Sequence, residues 1–546
     1  MPGTLSYRDG DQIPVWANRF SPLHNPQETF SVEDLPICEL WAETVTRRDI
    51  SFGELISGHA PVLFSRLHVG FKVDSESREL CNMRLRPENA QELGSAIRAK
   101  YLVEYSMDGL PASVPLGAIS KDGTPLLYTH KDVVCTSKDD KVISFSITPR
   151  SLVPLDTNDT IKFTYSLKWT EAVDAASRTR VLRPATRHTE NEILTYATCN
   201  GMMMVALLAG TVIHLLNKAA SSEVDVEGQE ESGWKQVQGD AFRKPSQLPL
   251  LSAIVAAGVQ LSCTVTTSIV IAEATGMQSH QFLDTLVWTY CGFQTVAGFV
   301  GSYYLRMFQT KSVSQAYLLQ WVVFPLFLFC VLVYFNTISF AYGTTGTVTL
   351  SFLLTGVGLL VVANLPLHLL GARVGLMLFK SMTPPARVTS LSRPLPDNSH
   401  FLTAAGLVLP GLVSVGGSAV HWTYFFGELW SSSSFGQWQE ILIGFILLLT
   451  LHGLAAVVAV FVMLNSEDHR WPRISVMSGI SAGVTLWLFG YFFLLRNTLV
   501  TGFFQLAHSI TILSIVSGMV ALMCGAVGSM SVALFVRRLY TSPKAD

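Results

Sequence analysis

Two periodicities divide this chain near residue 190. Before that point apolar and polar residues alternate in short runs. Lys141-Val-Ile-Ser-Phe-Ser-Ile-Thr148 and Thr160-Ile-Lys-Phe-Thr-Tyr-Ser-Leu-Lys-Trp169 carry the period of two that half-buried strands require. Asp108-Gly109, Asp122-Gly123 and Thr157-Asn158-Asp159 supply turn chemistry between such runs. The stretch 87–101 instead sets Leu93, Ala96 and Ile97 among Asn89, Glu92, Arg98 and Lys100, which predicts a helix. Residues 1–190 are therefore expected to form a β-rich, sandwich-like and mostly antiparallel domain with a small helical insertion.

Beyond residue 190 the alternation gives way to long apolar runs. Crossing a hydrocarbon core of roughly 30 Å takes a helix of about 20 predominantly apolar residues. Runs of that length fall at 193–216, 248–272, 283–305, 316–335, 347–370, 401–420, 441–464, 474–495 and 510–535. The chain is thus expected to be a membrane α-helical bundle of about nine spans over 191–540, with a short tail at 541–546. The run 401–420 is the weakest, because Pro410-Gly411 and Gly416-Gly417 interrupt it. A broken span is tolerated where protein surrounds the freed backbone groups.

Composition agrees with this division. Charged residues make up 14% of the 546, against about 25% in globular chains, and hydrophobic residues reach 49%. Most charges precede residue 193. A formal net charge of −2 gives no case for a nucleic-acid partner. The eight cysteines form no CxxC pair and no Cys/His spacing suited to zinc, so neither a metal site nor a cofactor is expected. Cys199, Cys263, Cys291, Cys330 and Cys524 lie in apolar runs, where they read as small buried hydrophobes.

Orientation follows from the short loops, since Lys and Arg favour the cytosolic side. Loops after the odd-numbered runs hold Lys218, Lys235, Arg243, Lys244, Arg306, Lys311, Arg373, Lys380, Arg387, Arg393, Arg470 and Arg473. Arg537, Arg538 and Lys544 follow the last run, whereas loops after the even-numbered runs contain only Arg496. The N-terminal domain is therefore expected to be lumenal and the C-terminus cytosolic. The sequon Asn158-Asp159-Thr160 is a candidate glycosylation site in that domain. A lumenal domain calls for a signal peptide, yet Met1-Pro2-Gly3 runs straight into polar sequence. Either the chain is a mature or truncated form with a substitute start, which is the expected explanation, or the first span pulls the domain across.

No P-loop, HExxH or CxxC occurs, and an enzyme is not expected. His452 lies inside a span, where an ionisable group invites a proton-relay reading, although a polar helix contact explains it more simply. Glu273, Asp284 and Glu428 fall at span ends and read as solvated, while Arg306 and Arg496 can snorkel. Gly371 and Gly375, and Gly479 and Gly483, form GxxxG pairs, and Gly292, Gly298 and Gly301 share another run. Small residues let helix backbones approach. They serve packing within the bundle or, in the functional reading, a face for a cargo protein's transmembrane helix. A small-molecule or ion transporter or channel is the competing class, because transport sites sit at broken helices near the midplane. The run 401–420 and Asn364-Leu-Pro366 provide such breaks, but buried charges are few and no repeat relates the two halves.

Several stretches, taken in order, resemble the nonaspanin family, the transmembrane-nine or endomembrane protein 70 type. They begin with Tyr7-Arg-Asp-Gly-Asp11, Pro14-Val-Trp-Ala-Asn18, His24-Asn-Pro-Gln-Glu-Thr29, Leu35-Pro-Ile-Cys38, Ser51-Phe-Gly-Glu-Leu55 and Leu80-Cys81. Tyr128-Thr-His-Lys131, Phe163-Thr-Tyr-Ser-Leu-Lys-Trp169, Gly233-Trp-Lys235, Gly239-Asp240 and Phe242-Arg243 follow. The last are Glu467-Asp-His-Arg-Trp471, Thr501-Gly-Phe503 and Phe535-Val-Arg-Arg-Leu-Tyr540. The resemblance implies a lumenal domain, nine spans and a cytosolic tail. It also implies residence in Golgi and endosomal membranes and a part in sorting or surface delivery of other membrane proteins, with links to adhesion and phagocytosis.

Within that resemblance, Cys38 and Cys81 both sit in family-like stretches and form the candidate disulfide, leaving Cys135 a buried free thiol. Lys544-Ala545-Asp546 resembles the family's C-terminal Lys-x-Asp/Glu sorting signal, which implies the COPI coat as a partner beside the lipid bilayer and transmembrane cargo. The chain departs from the family in lacking the signal peptide and in the segments 384–400 and 335–346.

Overall fold

The structure is a computed structural model describing residues 6–25, 27–37, 46–155, 160–172, 188–221, 233–277, 279–310, 314–380, 382–389, 391, 393–395, 399–430, 438–500 and 502–541. Among the described residues its N-terminal part holds eleven strands: β1 Gln12–Ile13, β2 Val15–Pro22, β3 Val62–Leu63, β4 Val69–Gly70, β5 Ser75–Arg84, β6 Tyr101–Met107, β7 Leu110–Pro115, β8 Gly117–Ile119, β9 Pro125–Lys138, β10 Lys141–Pro154 and β11 Thr160–Glu171. Two short helices join them, α1 (Phe52–Ile56) and α2 (Pro87–Arg98). One sheet runs β3-β2-β6-β7, a second runs β10-β9-β11-β5 with β8 beside β9, and β1 pairs β4 apart from both. Every pairing is antiparallel except β11 with β9.

The period of two is what builds this sandwich. Along β11, Ile161, Phe163, Tyr165 and Leu167 are buried while Thr160, Lys162 and Lys168 are exposed. They meet Val133, Cys135 and Phe145 of the same sheet and Val15, Ala17, Val103 and Val114 of the other in one core. The expected helix at 87–101 forms as α2, started by Pro87, whose fixed φ suits a first helical position. It buries Ala90, Leu93, Gly94 and Ile97, the spacing of a single helical face.

The helical part follows. It comprises α3 His188–Ser221, α4 Leu248–Thr275, α5 Ser279–Gly292, α6 Gln294–Met307, α7 Ser314–Ala341, α8 Leu350–Leu359, α9 Leu365–Leu378, α10 Ser399–Gly417, α11 Ala419–Leu429, α12 Trp438–Asn465, α13 Trp471–Asn497 and α14 Phe503–Thr541. Among the described residues, 8 helices are long and apolar enough to span a membrane. The ninth expected run, 283–305, is divided at Phe293 between α5 and α6, each of 14 residues. The run 401–420 differs from expectation at Pro410 but not at Gly416-Gly417. The helix continues through Pro410 and breaks only at Ser418, before α11. Asn364-Leu-Pro366 marks a π-helical turn, Leu360–Asn364, between α8 and α9. Pro366 brings no N–H, so a wider turn is a natural local adjustment.

Glycines set how close these helices come. A Cβ on Gly371 would strike the Thr295 carbonyl oxygen, and one on Gly375 would lie 2.7 Å from Ser302 Cβ. Gly479 meets the backbone of Ala521 and Gly525, and a Cβ on Gly483 would stand 2.7 Å from the Ser517 carbonyl oxygen. All four glycines are buried between helices of this chain. A cargo helix on them would have to displace one of this chain's own. Not every cysteine of the apolar runs is buried either: Cys291 and Cys524 are, but Cys199 and Cys330 face outward.

Overpacking such a site costs about 1–3 kcal/mol. Gly371→Ala and Gly479→Ala are expected to lower the melting temperature in detergent, and the Leu variants to lose the folded peak in size-exclusion chromatography. Wild-type melting of both Leu variants would refute this packing.

Candidate functional site

The β domain meets the helices through a short, highly specified contact. Ser51 caps α1 in a reciprocal box, accepting from the Glu54 amide at 3.2 Å while the Glu54 carboxylate accepts from the Ser51 amide at 3.0 Å. That box presents Gly53 to α5, where its N–H donates to Asp284 Oδ1 at 2.8 Å. A Cβ on Gly53 would collide with the His280 carbonyl. Phe52 stacks on Phe352 of α8, ring centroids 5.5 Å apart. Thr345, before α8, lies 2.7 Å from the Gly58 carbonyl and 2.8 Å from Thr29 Oγ1. Gln505 Nε2 donates to Glu28 at 2.8 Å, and Gln27 Nε2 to the Leu429 carbonyl at 3.3 Å.

Beneath this seam lies a cavity of about 670 Å³. Its roof carries Arg19, Gln27, Thr29, His59 and Glu104 of the β domain, with His280 of α5. Its walls come from α4, α5, α7, α11, α12 and α14, and are mostly apolar, among them Val265, Phe282, Phe445, Ile512, Val516 and Met523. The roof is electrostatically closed. Arg19 Nε donates to Glu104 Oε2 at 2.9 Å, its guanidinium also reaches the Ser57 carbonyl, and Asn18 Nδ2 donates to Glu104 Oε1 at 3.2 Å. Burial pushes the His59 pKa down to about 3, against the pull of Glu104 3.7 Å away. Burial pushes Glu104 the other way, but Arg19, His59 and the Asn18 hydrogen bond outweigh it and hold its pKa at about 2. At neutral pH the roof is an Arg⁺–Glu⁻ pair beside a neutral imidazole.

A second cluster closes the opposite end of the bundle. Trp471, fully buried, donates Nε1–H to the Ala241 carbonyl at 2.7 Å, and Tyr540 OH donates to the Trp234 carbonyl at 2.8 Å. Phe242 packs edge-on against both Trp471 and Tyr540. Asp240 accepts from Arg243 Nε at 2.7 Å and from the Arg393 amide at 3.1 Å. Burial raises the Asp240 pKa, yet these two donors leave it below the usual carboxylate range.

Two expectations for single residues change, and one holds. Asp284 anchors the seam instead of facing solvent, and Glu428 lines the cavity. His452 is fully buried between Ser414 Oγ at 3.4 Å and Ser478 Oγ at 3.3 Å, the simple helix-contact reading. Cys81 is disulfide-bonded, and Cys135 is free and buried. Cys38, Asn158, Lys544, Ala545 and Asp546 lie outside the described residues. Among the described residues no group of three or more His, Cys, Asp or Glu is placed to hold a metal ion. Sequence reasoning missed the roof cluster; only the ionisable residues at buried strand and loop positions hinted at it.

A β-rich domain followed by membrane helices, tied at a polar seam, defines a multi-pass membrane protein. The family model for endomembrane protein 70 matches residues 29–503, and the chain belongs to that family. It is 26% identical to "Transmembrane 9 superfamily member 5" of Arabidopsis thaliana, over 99% of this chain and 95% of that protein. It is 27% identical to "Transmembrane 9 superfamily member 2" of the same plant, with the same coverage. For "Transmembrane 9 superfamily member 1" of Bos taurus the identity is 25%, over 100% of this chain and 95% of the other. No solved structure matches the chain.

The roof makes stability depend on pH with a definite sign. His59 has a folded pKa of about 3, below its usual 6.5, so the unfolded chain takes up the proton first as pH falls. Stability is fully present above pH 6.5 and declines from there toward pH 3. The Glu104 contribution is present above pH 4.5 and is lost as pH falls toward 2. Melting in detergent is expected to drop between pH 6.5 and 5, with a shallower drop for His59→Asn. Parallel curves for the two proteins would refute it.

Proposed function

We propose that this protein is a non-enzymatic, multi-pass protein of Golgi and endosomal membranes that sorts, moves or localises other membrane proteins. The carrying observation is membership of the endomembrane protein 70 family along most of the chain. The N-terminal domain is lumenal and the C-terminus cytosolic in this reading, which rests on the loop charges. Asn158 is then a lumenal glycosylation acceptor, and Cys38 is the partner of Cys81 in an oxidising compartment.

Cargo helices dock on the faces that the bundle leaves to lipid. In the spans Glu192–Ala219 and Leu350–Leu378 only 6% of the most apolar window is buried, against 56% in Trp438–Asn465. Gly210 on α3 and Gly356 and Gly358 on α8 meet nothing within 4 Å, so a partner's backbone can approach there. Lys544 and Asp546, with the terminal carboxylate, form a compact charged epitope for the COPI coat.

Protease added to sealed vesicles is expected to spare the N-terminal domain and remove a C-terminal tag; loss of both would refute the orientation. Lys544→Ala with Asp546→Ala is expected to shift the protein from Golgi membranes toward endosomes or the cell surface. Unchanged Golgi residence would place the signal elsewhere. Gly356→Leu with Gly358→Leu is expected to reduce co-purified membrane proteins at unchanged melting temperature. A full complement of partners would remove α8 as the cargo face.

A further inference from the structure

We propose that the cavity beneath the β domain holds one hydrocarbon chain of a membrane lipid whose uncharged, hydroxyl-bearing head lies against His421 and Trp422. The shape argues for a chain. Lining residues on α14 run from Phe504 to Met523, a rise of about 28 Å at about 1.5 Å per residue. Spread over that length or more, 670 Å³ open to the centres of water-sized atoms leaves a mean width of roughly 5.5 Å for those centres, or roughly 8 Å between the walls. Carbon atoms in contact stand about 3.5–4.0 Å apart, so a path of that width admits a hydrocarbon chain. A transmembrane helix, about 10–12 Å across with its side chains, is excluded. The occupant therefore differs from the cargo proposed above.

The head is read from hydrogen-bonding capacity left open in the wall. Thr198 Oγ1 donates to the Leu194 carbonyl at 2.9 Å, so it can only accept from His421 Nε2, 3.1 Å away. His421 is thus the Nε2–H tautomer, and its Nδ1 is an acceptor. The residue is 3% exposed, and among the described residues Nδ1 has no hydrogen-bond partner. The neighbouring Trp422 Nε1–H and the Nδ1 of His508, which also line the cavity, have none either. Leaving buried polar atoms unpaired is costly. A hydroxyl both donates to an imidazole nitrogen and accepts from an indole N–H. Charge argues against a phosphate head, because among the described residues Arg19 is the one Lys or Arg of the lining and it is already paired with Glu104. Below the imidazoles, Phe445, Ile512, Val516, Met519 and Met523 offer only apolar contact.

The test uses the full-length chain in nanodiscs with three photoreactive, clickable probes: a monoacylglycerol, a sterol and a phosphatidic acid. The monoacylglycerol is expected to label peptides from α11, α12 or α14, and excess unlabelled monoacylglycerol to suppress that labelling at least about fivefold. Val516→Trp fills the chain path and is expected to lower labelling by a similar factor at wild-type melting temperature. If that variant does not fold, Met519→Phe serves in its place. His421→Phe removes the acceptor and is expected to lower labelling roughly threefold to tenfold. Equal labelling of the wild type and folded cavity-filling variants would overturn the proposal. Equal labelling by phosphatidic acid would overturn the uncharged head, and labelling by the sterol alone would overturn the chain. Flux of a water-soluble solute into proteoliposomes, blocked by Val516→Trp, would overturn it in favour of a water-filled path.

Discussion

In hydrocarbon a helix gains nothing by hiding an apolar side chain from its surroundings, so cohesion must come from close backbone contact. This constraint arranges the helical part of the chain. At Gly258, Gly298, Gly371 and Gly479 a Cβ would run into the backbone of the facing helix. These contacts tie α4 to α14, α6 to α9 and α13 to α14. The helices that make few such contacts, α3 and α7, expose large apolar residues such as Leu207 and Phe340 to the surroundings.

The cavity lies where this mode of packing stops. Its walls at α4, α11, α12 and α14 are built mostly from Ile, Val, Leu, Phe, Trp and Met around His421, Glu428 and His508, with Gly444 the one helical glycine among the described lining residues, and a Cβ there would meet His421. Bulky side chains hold the backbones apart, and the β domain closes the end that results. The roof uses a buried ion pair, which is a poor source of net stability but is expensive to break on one side only. Arg19, Glu104, Asn18 and His59 thus act as a fixed plate, and Gly53 lets that plate sit directly on the helices.

Much of the fold was legible because it rests on period and length. The alternation in Thr160–Glu171 and the 3.6 spacing of Ala90, Leu93 and Ile97 each follow from which face is buried. Positions of helix breaks were less legible. Pro410 looked like an interruption, yet the helix passes through it; the break falls at Ser418, directly after Gly416-Gly417, where the second interruption was expected. The division at Phe293 has no Pro or Gly of its own beyond the adjacent Gly292. The roof was illegible for a different reason. Its members stand at positions 18, 19, 59, 104 and 280, and only tertiary structure brings them together.

The family-like stretches sort themselves by place. Ser51-Phe-Gly-Glu-Leu55 and His24–Thr29 reach the seam through α1, Glu28 and Thr29. Gly233-Trp-Lys235, Asp240, Phe242-Arg243, Trp471 and Tyr540 converge on the far end, joined by hydrogen bonds that span from 230 to 306 positions of sequence. Neither group surrounds a nucleophile with a base, or gathers paired carboxylates. Each closes one end of the same bundle by binding segments that are distant in the chain. A protein whose most recognisable residues are spent on fixing two ends leaves the lipid-facing flanks and the interior cavity between them as the surfaces on which something else can act.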